Sequence, residues 1–262
     1  MASMPLGGYG HLFVAVLRRE LLVFVRYPVD AMGAVVVHSI IFAILFVGGT
    51  AVAGGAFADS LDAVVVGYFL WMLATTAYMT IAEDIQAEAR WGTLERHFVS
   101  PFGFANVLFA KSVAKLVLAF VYAALLLVVM LAVTGTRLHV DVLTIVPLAV
   151  ATLLSVLGVG FAMAGVTVLY KSVSNWTGLL QFGFVGLVAA PALEWEWTVL
   201  LPLVQGSHLL QRAMRDGIRL WELPPSSLAI LVVTAVGYLA LGYLVFQRSQ
   251  KRARRLGVLG DY

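Results

Sequence analysis

Few residues in this chain can do covalent or acid–base chemistry, and their spacing argues against most of it. Ser155, Ser172 and Ser207 are the candidate nucleophiles, and "GSHLL" sets Ser207 beside His208. Adjacent side chains on a helix point about 100° apart, so the two do not form a nucleophile–base pair. Ser207 reads instead as the start of a helix. His38 adjoins Ser39 inside an apolar run; it reads as a buried, hydrogen-bonded histidine in preference to a ligand or proton relay. Asp59 and Asp62 follow a Gly-rich stretch, where Asp62 is placed to cap the next helix rather than to share a metal. Glu194 and Glu196 alternate with Trp195 and Trp197. That spacing permits acid–base work, or an aromatic belt at the outer membrane interface with its polar partners. The chain has no cysteine, which excludes disulfides, zinc–thiolate sites and iron–sulfur clusters. A nucleotide phosphate loop needs G-x-x-x-x-G-K-[ST]. The two Lys-Ser pairs, at Lys111 and Lys171, follow Ala110 and Tyr170, so ATP is not hydrolysed here by that route.

The charged residues concentrate in "EDIQAEARWGTLERHFVSP", Glu83–Pro101, between two long apolar runs. Read as a helix over Glu83–Phe98, it sets Ala87, Trp91, Leu94 and Phe98 along one face and Glu88, Gly92 and Glu95 on its neighbour. Gly92 weakens the helix interior by about 1 kcal/mol relative to Ala. It marks a place where the segment divides, with Thr93 able to cap the second piece. Ser100-Pro101 reads as the cap and first position of the next helix. The segment is either a solvated connector whose aromatics rest on headgroups, or a docking element with an apolar knob and a charged rim.

The elements that hold these residues are membrane spans. The 262-residue chain is 61% hydrophobic and 12% charged, against roughly 25% charged in a soluble domain. Apolar runs of about 20 residues suffice to cross a bilayer, and six are expected: about Ala31–Ala53, Ala63–Ala82, Ala105–Val133, Val142–Tyr170, Trp176–Leu193 and Leu228–Phe246. His11–Tyr27 precedes them as an interfacial helix with His11, Arg18, Arg19 and Arg26 in one polar stripe. Glu20 falls outside that stripe and is expected to pair locally or face protein. Met1–Gly10 has no basic residue, so the N-terminus does not read as a cleavable signal. Glu194–Ser226 holds apolar runs too short to cross; short helices dipping into the outer leaflet fit it, shielded by protein or a watery cavity. With both termini cytoplasmic, the inner segments hold all but four of the 17 basic residues, the exceptions being Arg137, Arg212, Arg215 and Arg219. The net charge of +3 thus reads as membrane orientation, not nucleic-acid binding. The spans carry no mid-depth carboxylate of the kind ion-coupled carriers use.

One face of the second span is aromatic. Tyr68, Trp71, Thr75 and Tyr78 recur at helical spacing, with Met72 adjacent. Together with Trp176, Gln181, Phe182 and Phe184 of the fifth span they either line a path for an amphiphile or pack and meet lipid. Gly158, Gly160, Ala164 and Gly165 suit close helix contacts in the fourth span.

"EARWGTLERHFVSPFGFANVLFAKSVAKL", Glu88–Leu116, resembles the segment before the third span of type-2 ABC exporter permeases. A weaker likeness extends over the N-terminal helix, the six spans and "LPLVQGSHLLQRAMRDG". The resemblance implies an all-α membrane protein with a cytoplasmic coupling helix between spans two and three and re-entrant outer helices between spans five and six. The matching coupling positions are Glu88, Gly92, Thr93, Leu94, Glu95, Ser100 and Pro101; Trp91 and His97 depart from the pattern, and Trp91 and Phe98 join the docking face. It further implies residues 1–28 as the interfacial helix, 29–247 as the transmembrane domain and 248–262 as a basic tail. The coupling helix would cover about 83–98, and an outer region about 194–226 would be gated at Glu194, Trp195, Glu196 and Trp197. The expected partners are a separate ATP-binding subunit that carries ATP and Mg, a second permease subunit in a homodimer rather than a heterodimer, and membrane lipid. This chain itself would bind no cofactor. The expected place is the cell membrane and the expected work is outward movement of a drug, lipid or lipid-linked compound. A membrane enzyme acting on lipids or glycans, and an assembly protein without cargo, are the alternative readings.

Overall fold

The computed structural model describes residues 7–55, 57, 60–90, 104–170, 174–193 and 196–256. Among these, every regular element is helical. The helices are α1 (Gly7–Arg26), α2 (Pro28–Ala53), α3 (Leu61–Arg90), α4 (Phe104–Thr134), α5 (Val142–Tyr170), α6 (Ser174–Ala189), α7 (Val204–Asp216) and α8 (Pro225–Leu256). Short 3₁₀ turns occupy Ala190–Leu193, Glu196–Leu200 and Leu220–Glu222.

Among the described residues, five stretches are long and apolar enough to cross a membrane: Met32–Val52, Leu61–Ile81, Phe104–Thr134, Val142–Tyr170 and Pro225–Ala253. The expected fifth span is shorter than the rest. Its α-helix has 16 residues, about 24 Å at 1.5 Å per residue. Pro191 sits just past its end and cannot continue an α-helix, so the chain tightens into a 3₁₀ turn. The second span departs in the other direction. The charged run does not open as a separate helix; Glu83–Arg90 prolongs α3 without a break. Those residues are mostly Glu, Gln, Ala and Arg, which favour helix, and no Gly or Pro interrupts them before Gly92. Trp91–Gly103 lies outside the described residues, as do the side chains of 82–90. At the other end of the chain, α8 also outruns its expected limit and carries part of the basic tail to Leu256.

α1 and α2 meet at an elbow. Tyr27 leaves helical geometry and Pro28 opens α2 at its first position, where its missing N–H costs nothing. Leu12, Phe13, Val16, Leu17, Glu20 and Phe24 are among the half-buried residues of α1, and Phe24 meets Tyr122 of α4 edge-on at 5.3 Å. Glu20 therefore faces protein, and it also pairs with Arg19 at 3.6 Å.

The centre is built where α5 crosses α8. A Cβ on Gly158 would run into the Tyr238 carbonyl, and one on Gly242 into that of Gly158. Gly160 admits Ile81 of α3, and Gly165 admits Ser249 and Phe246 of α8. Small residues thus let the backbones touch, which is the main source of packing between helices in lipid. Phe161 fills the space beside them against Tyr243 and Phe246. Several polar residues inside the helices return their hydroxyls to carbonyls of their own helix, as Thr152 does to Leu148 at 2.6 Å and Thr167 to Met163 at 3.0 Å, so that these donors are not left bare to hydrocarbon. α2 lies at the rim: 11% of its apolar window is buried, against 67% for α3.

Beyond α6 the chain forms a cap over α5. Leu209, Leu210, Ala213 and Met214 of α7 are buried while Arg215 is exposed. Leu203 enters α7 with φ of 70°, a left-handed conformation unfavourable for leucine. Its N–H reaches Ser155 Oγ at 3.4 Å, and its carbonyl accepts from Ser207 N at 2.7 Å.

Candidate functional site

α3 and α6 bring the aromatic residues together. Trp71 Nε1 donates to the Gln181 carbonyl at 3.3 Å, tying the two helices together. Tyr78 meets Phe184 edge-to-face at 5.3 Å. Tyr68 is fixed from the other side: its hydroxyl donates to the His38 carbonyl at 2.9 Å, and its ring packs against Phe42 and Trp71.

These contacts border an open-sided cavity of about 500 Å³ between α2, α3 and α6, with Tyr68, Trp71, Phe182, Ile41, Leu45 and Gln211 among its walls. Its lining is overwhelmingly apolar. Ser60 and Gln211 supply its polar groups; Ser60 Oγ donates to the Phe57 carbonyl at 3.1 Å and Gln211 Nε2 to Ser207 Oγ at 3.2 Å, and the Trp71 N–H and Tyr68 hydroxyl are also engaged. Such a space selects apolar bulk and orients it with one or two hydrogen bonds.

The expected path residues divide. Tyr68, Trp71 and Phe182 line this cavity. Tyr78 and Phe184 are fully buried and pack against each other. Met72 faces a second cavity, toward the elbow. Thr75 Oγ1 is buried with no hydrogen-bond partner. Gln181 contributes its carbonyl, and Trp176 is exposed on the outer side of α6. Ile41 and Leu45 of α2 and Gln211 of α7 had no distinguishing signal in the sequence: two are ordinary span residues, and the third comes from the cap.

The remaining candidates separate as well. Ser207 Oγ donates to the Val188 carbonyl at 2.7 Å and accepts from Gln211 Nε2 at 3.2 Å, while His208 is exposed. It is a structural hydroxyl in the first turn of α7. Ser155 Oγ is spent on the Thr152 carbonyl at 2.7 Å; Ser172 lies outside the described residues. His38 Nδ1 lies 2.9 Å from the Ala34 carbonyl, but the ring is half-exposed in the second cavity and not buried as expected, because α2 stands at the rim. Asp62 occupies the first turn of α3, and Asp59 is outside the described residues. Among the described residues no three His, Asp or Glu side chains are placed to hold a metal.

Of the outer residues, Glu194 and Trp195 lie outside the described residues, Glu196 opens a 3₁₀ turn and Trp197 is exposed. Of the coupling positions, Glu88 lies in the backbone of the α3 extension. Trp91, Gly92, Thr93, Leu94, Glu95 and Phe98 fall outside the described residues, with Ser100 and Pro101.

A family model described as ABC-2 type transporter matches residues 11–187, from the first turns of α1 to the end of α6 and through the whole charged segment. No curated protein and no solved structure matches the chain. The match takes in well over half of the chain, including Tyr68, Trp71 and Phe182 of the aromatic cavity. The chain belongs to the ABC-2 type transporter family, as a multi-pass membrane permease subunit of an ABC transporter.

Proposed function

We propose that this permease moves an amphiphilic or hydrophobic compound outward, driven by a separate subunit that binds ATP and Mg. The observation that carries the reading is the cavity of about 500 Å³ walled by Tyr68, Trp71 and Phe182. Its size falls in the roughly 300–1,000 Å³ range of small-molecule sites, and its walls suit an apolar body with few polar groups.

Charge and length together support six crossings. α1 and the end of α8 are both basic, so both belong on the cytoplasmic side. Five crossings would separate them. α6 followed by Ala190–Leu193 reaches about 32 Å, from 1.5 Å per α-residue and 2.0 Å per 3₁₀-residue, which is enough to cross. The outer face of α6 leaves Trp176, Leu179 and Phe182 exposed, and Gly178, Gly183 and Gly186 would admit a side chain into open space. That face supports pairing with a second permease subunit across the path, as a homodimer. The α3 extension supports a rigid link from a docked ATP-binding subunit at Glu88–Phe98 into the helix that carries Tyr68 and Trp71. The outer segment at Glu194, Trp195, Glu196 and Trp197 closes the outer end.

The test is ATP-dependent transport of a fluorescent amphiphile in proteoliposomes containing the permease and its ATP-binding partner. Trp71→Ala with Phe182→Ala should raise the apparent KM about tenfold, equivalent to about 1.4 kcal/mol. Tyr78→Phe, within the packed pair, should leave it unchanged. An unaltered KM in the double variant removes the cavity from the path.

A further inference from the structure

The aromatic cavity of about 500 Å³ is apolar except at a few points, and one of them is an amide that α7 supplies. Gln211 is half-buried and lines the space together with Tyr68 and Trp71. A chain of committed hydrogens holds this amide. The Ser207 hydroxyl donates to the Val188 carbonyl of α6 at 2.7 Å, so its oxygen has only lone pairs left for a neighbour one turn along α7. There it accepts from Gln211 Nε2 at 3.2 Å. Turned the other way, the amide would set oxygen against oxygen with no proton between them. The donor end of Gln211 is thus fixed on Ser207, and among the described residues its Oε1 accepts from no protein group.

The other polar groups of the wall have turned their hydrogens onto backbone carbonyls: Tyr68 onto His38, Ser60 onto Phe57 and Trp71 onto Gln181. None of them supplies a hydrogen to Oε1. α7 is also held in place. The Leu203 N–H meets Ser155 Oγ of α5 at 3.4 Å, and Gln205 Nε2 donates to the Ser227 carbonyl of α8 at 3.2 Å. Gly206 lies against Thr152 with no room for a Cβ. With the Ser207 bond to α6, three helices position the amide before a ligand arrives, so little ordering cost falls on binding.

We propose that this cavity selects hydroxyl-bearing apolar compounds, alcohols or phenols, whose O–H donates to Gln211 Oε1 while the hydrocarbon body lies against Tyr68, Trp71 and Phe182. The inference rests on reading the cavity as the ligand site, and adds the group by which ligands are told apart. An ether of the same shape cannot donate and leaves Oε1 covered and unpaired, which a site of this kind disfavours. Nε2 keeps a second hydrogen that a hydroxyl or an ether oxygen accepts alike, so the discrimination lies at Oε1.

The experiment measures binding of pyrenebutanol and of its methyl ether to the full chain in nanodiscs, by energy transfer from tryptophan to pyrene. Empty nanodiscs give the background, and neither nucleotide nor partner is present. The wild-type chain should bind the alcohol about tenfold more tightly than the ether, the scale of one neutral hydrogen bond. Gln211→Met, which keeps the length but no acceptor oxygen, should raise the Kd of the alcohol about tenfold and leave that of the ether unchanged; the retained ether binding shows an intact cavity. Gln211→Glu keeps an acceptor oxygen in either ionisation state and should keep the preference. Phe182→Ala should weaken both ligands alike. Equal wild-type affinities, with both ligands weakened by Phe182→Ala, overturn the hydroxyl preference and leave the transport path standing. A preference that survives Gln211→Met, or is lost in Gln211→Glu, also overturns it. If Phe182→Ala changes neither Kd, the ligands bind elsewhere, and both this proposal and the cavity as path fall.

Discussion

At the crossing of α5 and α8, Gly158 faces the Tyr238 carbonyl and Gly242 faces that of Gly158. The neighbours are backbone atoms, which cannot rotate away. Gly158→Val should therefore push the helices apart and destabilise the protein by about 1–3 kcal/mol, the usual cost of overpacking; a lowered Tm in detergent measures it. Gly186→Ala, whose new methyl meets open space, should not lower Tm. Equal Tm for the Gly158 variant and the parent would contradict the observed crossing. The same scale explains why Ser207 beside His208 is not a catalytic pair: one helical step puts the serine on buried Val188 and the histidine outside.

Among the elements, α3 is the one whose limits carry meaning. It runs from Leu61, near the aromatic cavity, to Arg90, past the apolar span. A continuous helix transmits force along its axis; a broken one does not. Gln86→Pro would remove a backbone donor and clash with the preceding turn, at about 3 kcal/mol of helix stability. With the ATP-binding partner present, it should leave ATP hydrolysis measurable while abolishing transport, and should leave the partner bound. Trp91→Ala with Leu94→Ala should instead release the partner in co-purification. If the Pro variant transports at the parental rate, α3 is not the transmitting element. If the partner stays bound to the Trp91/Leu94 variant and transport persists, the docking face lies elsewhere.

For the whole molecule, the question is the number of crossings, and α6 decides it. Native cysteine is absent, so single introduced cysteines report topology without background. Six crossings predict that Arg252→Cys, at an exposed position, is reached only from the cytoplasmic side by a membrane-impermeant maleimide, and Arg137→Cys only from outside. Labelling of both from one side would mean that α6 does not cross. The basic residues at both ends of the chain favour the first result by about 1 kcal/mol each at an anionic inner surface.

Much was legible before any coordinates. Runs of about 20 apolar residues placed four of the six expected spans within a few residues of helices long enough to cross, and the fourth, Val142–Tyr170, at its observed limits. Pro28 marked the elbow, and the glycines of α5 marked close contacts. These are local properties: apolar length, missing donors and missing side chains act on the chain wherever it lies. The faces were not legible. A span is apolar all round, so its sequence does not distinguish a side that meets protein from one that meets lipid. Tyr68, Trp71 and Tyr78 share a helical stripe, yet two line a cavity and one is packed against Phe184. The cavities beside the elbow likewise join residues from separate helices that share no motif. Only the packing of α1, α2, α3, α4 and α6 decided which residues stand across a gap from one another, because that depends on how whole helices lean and cross.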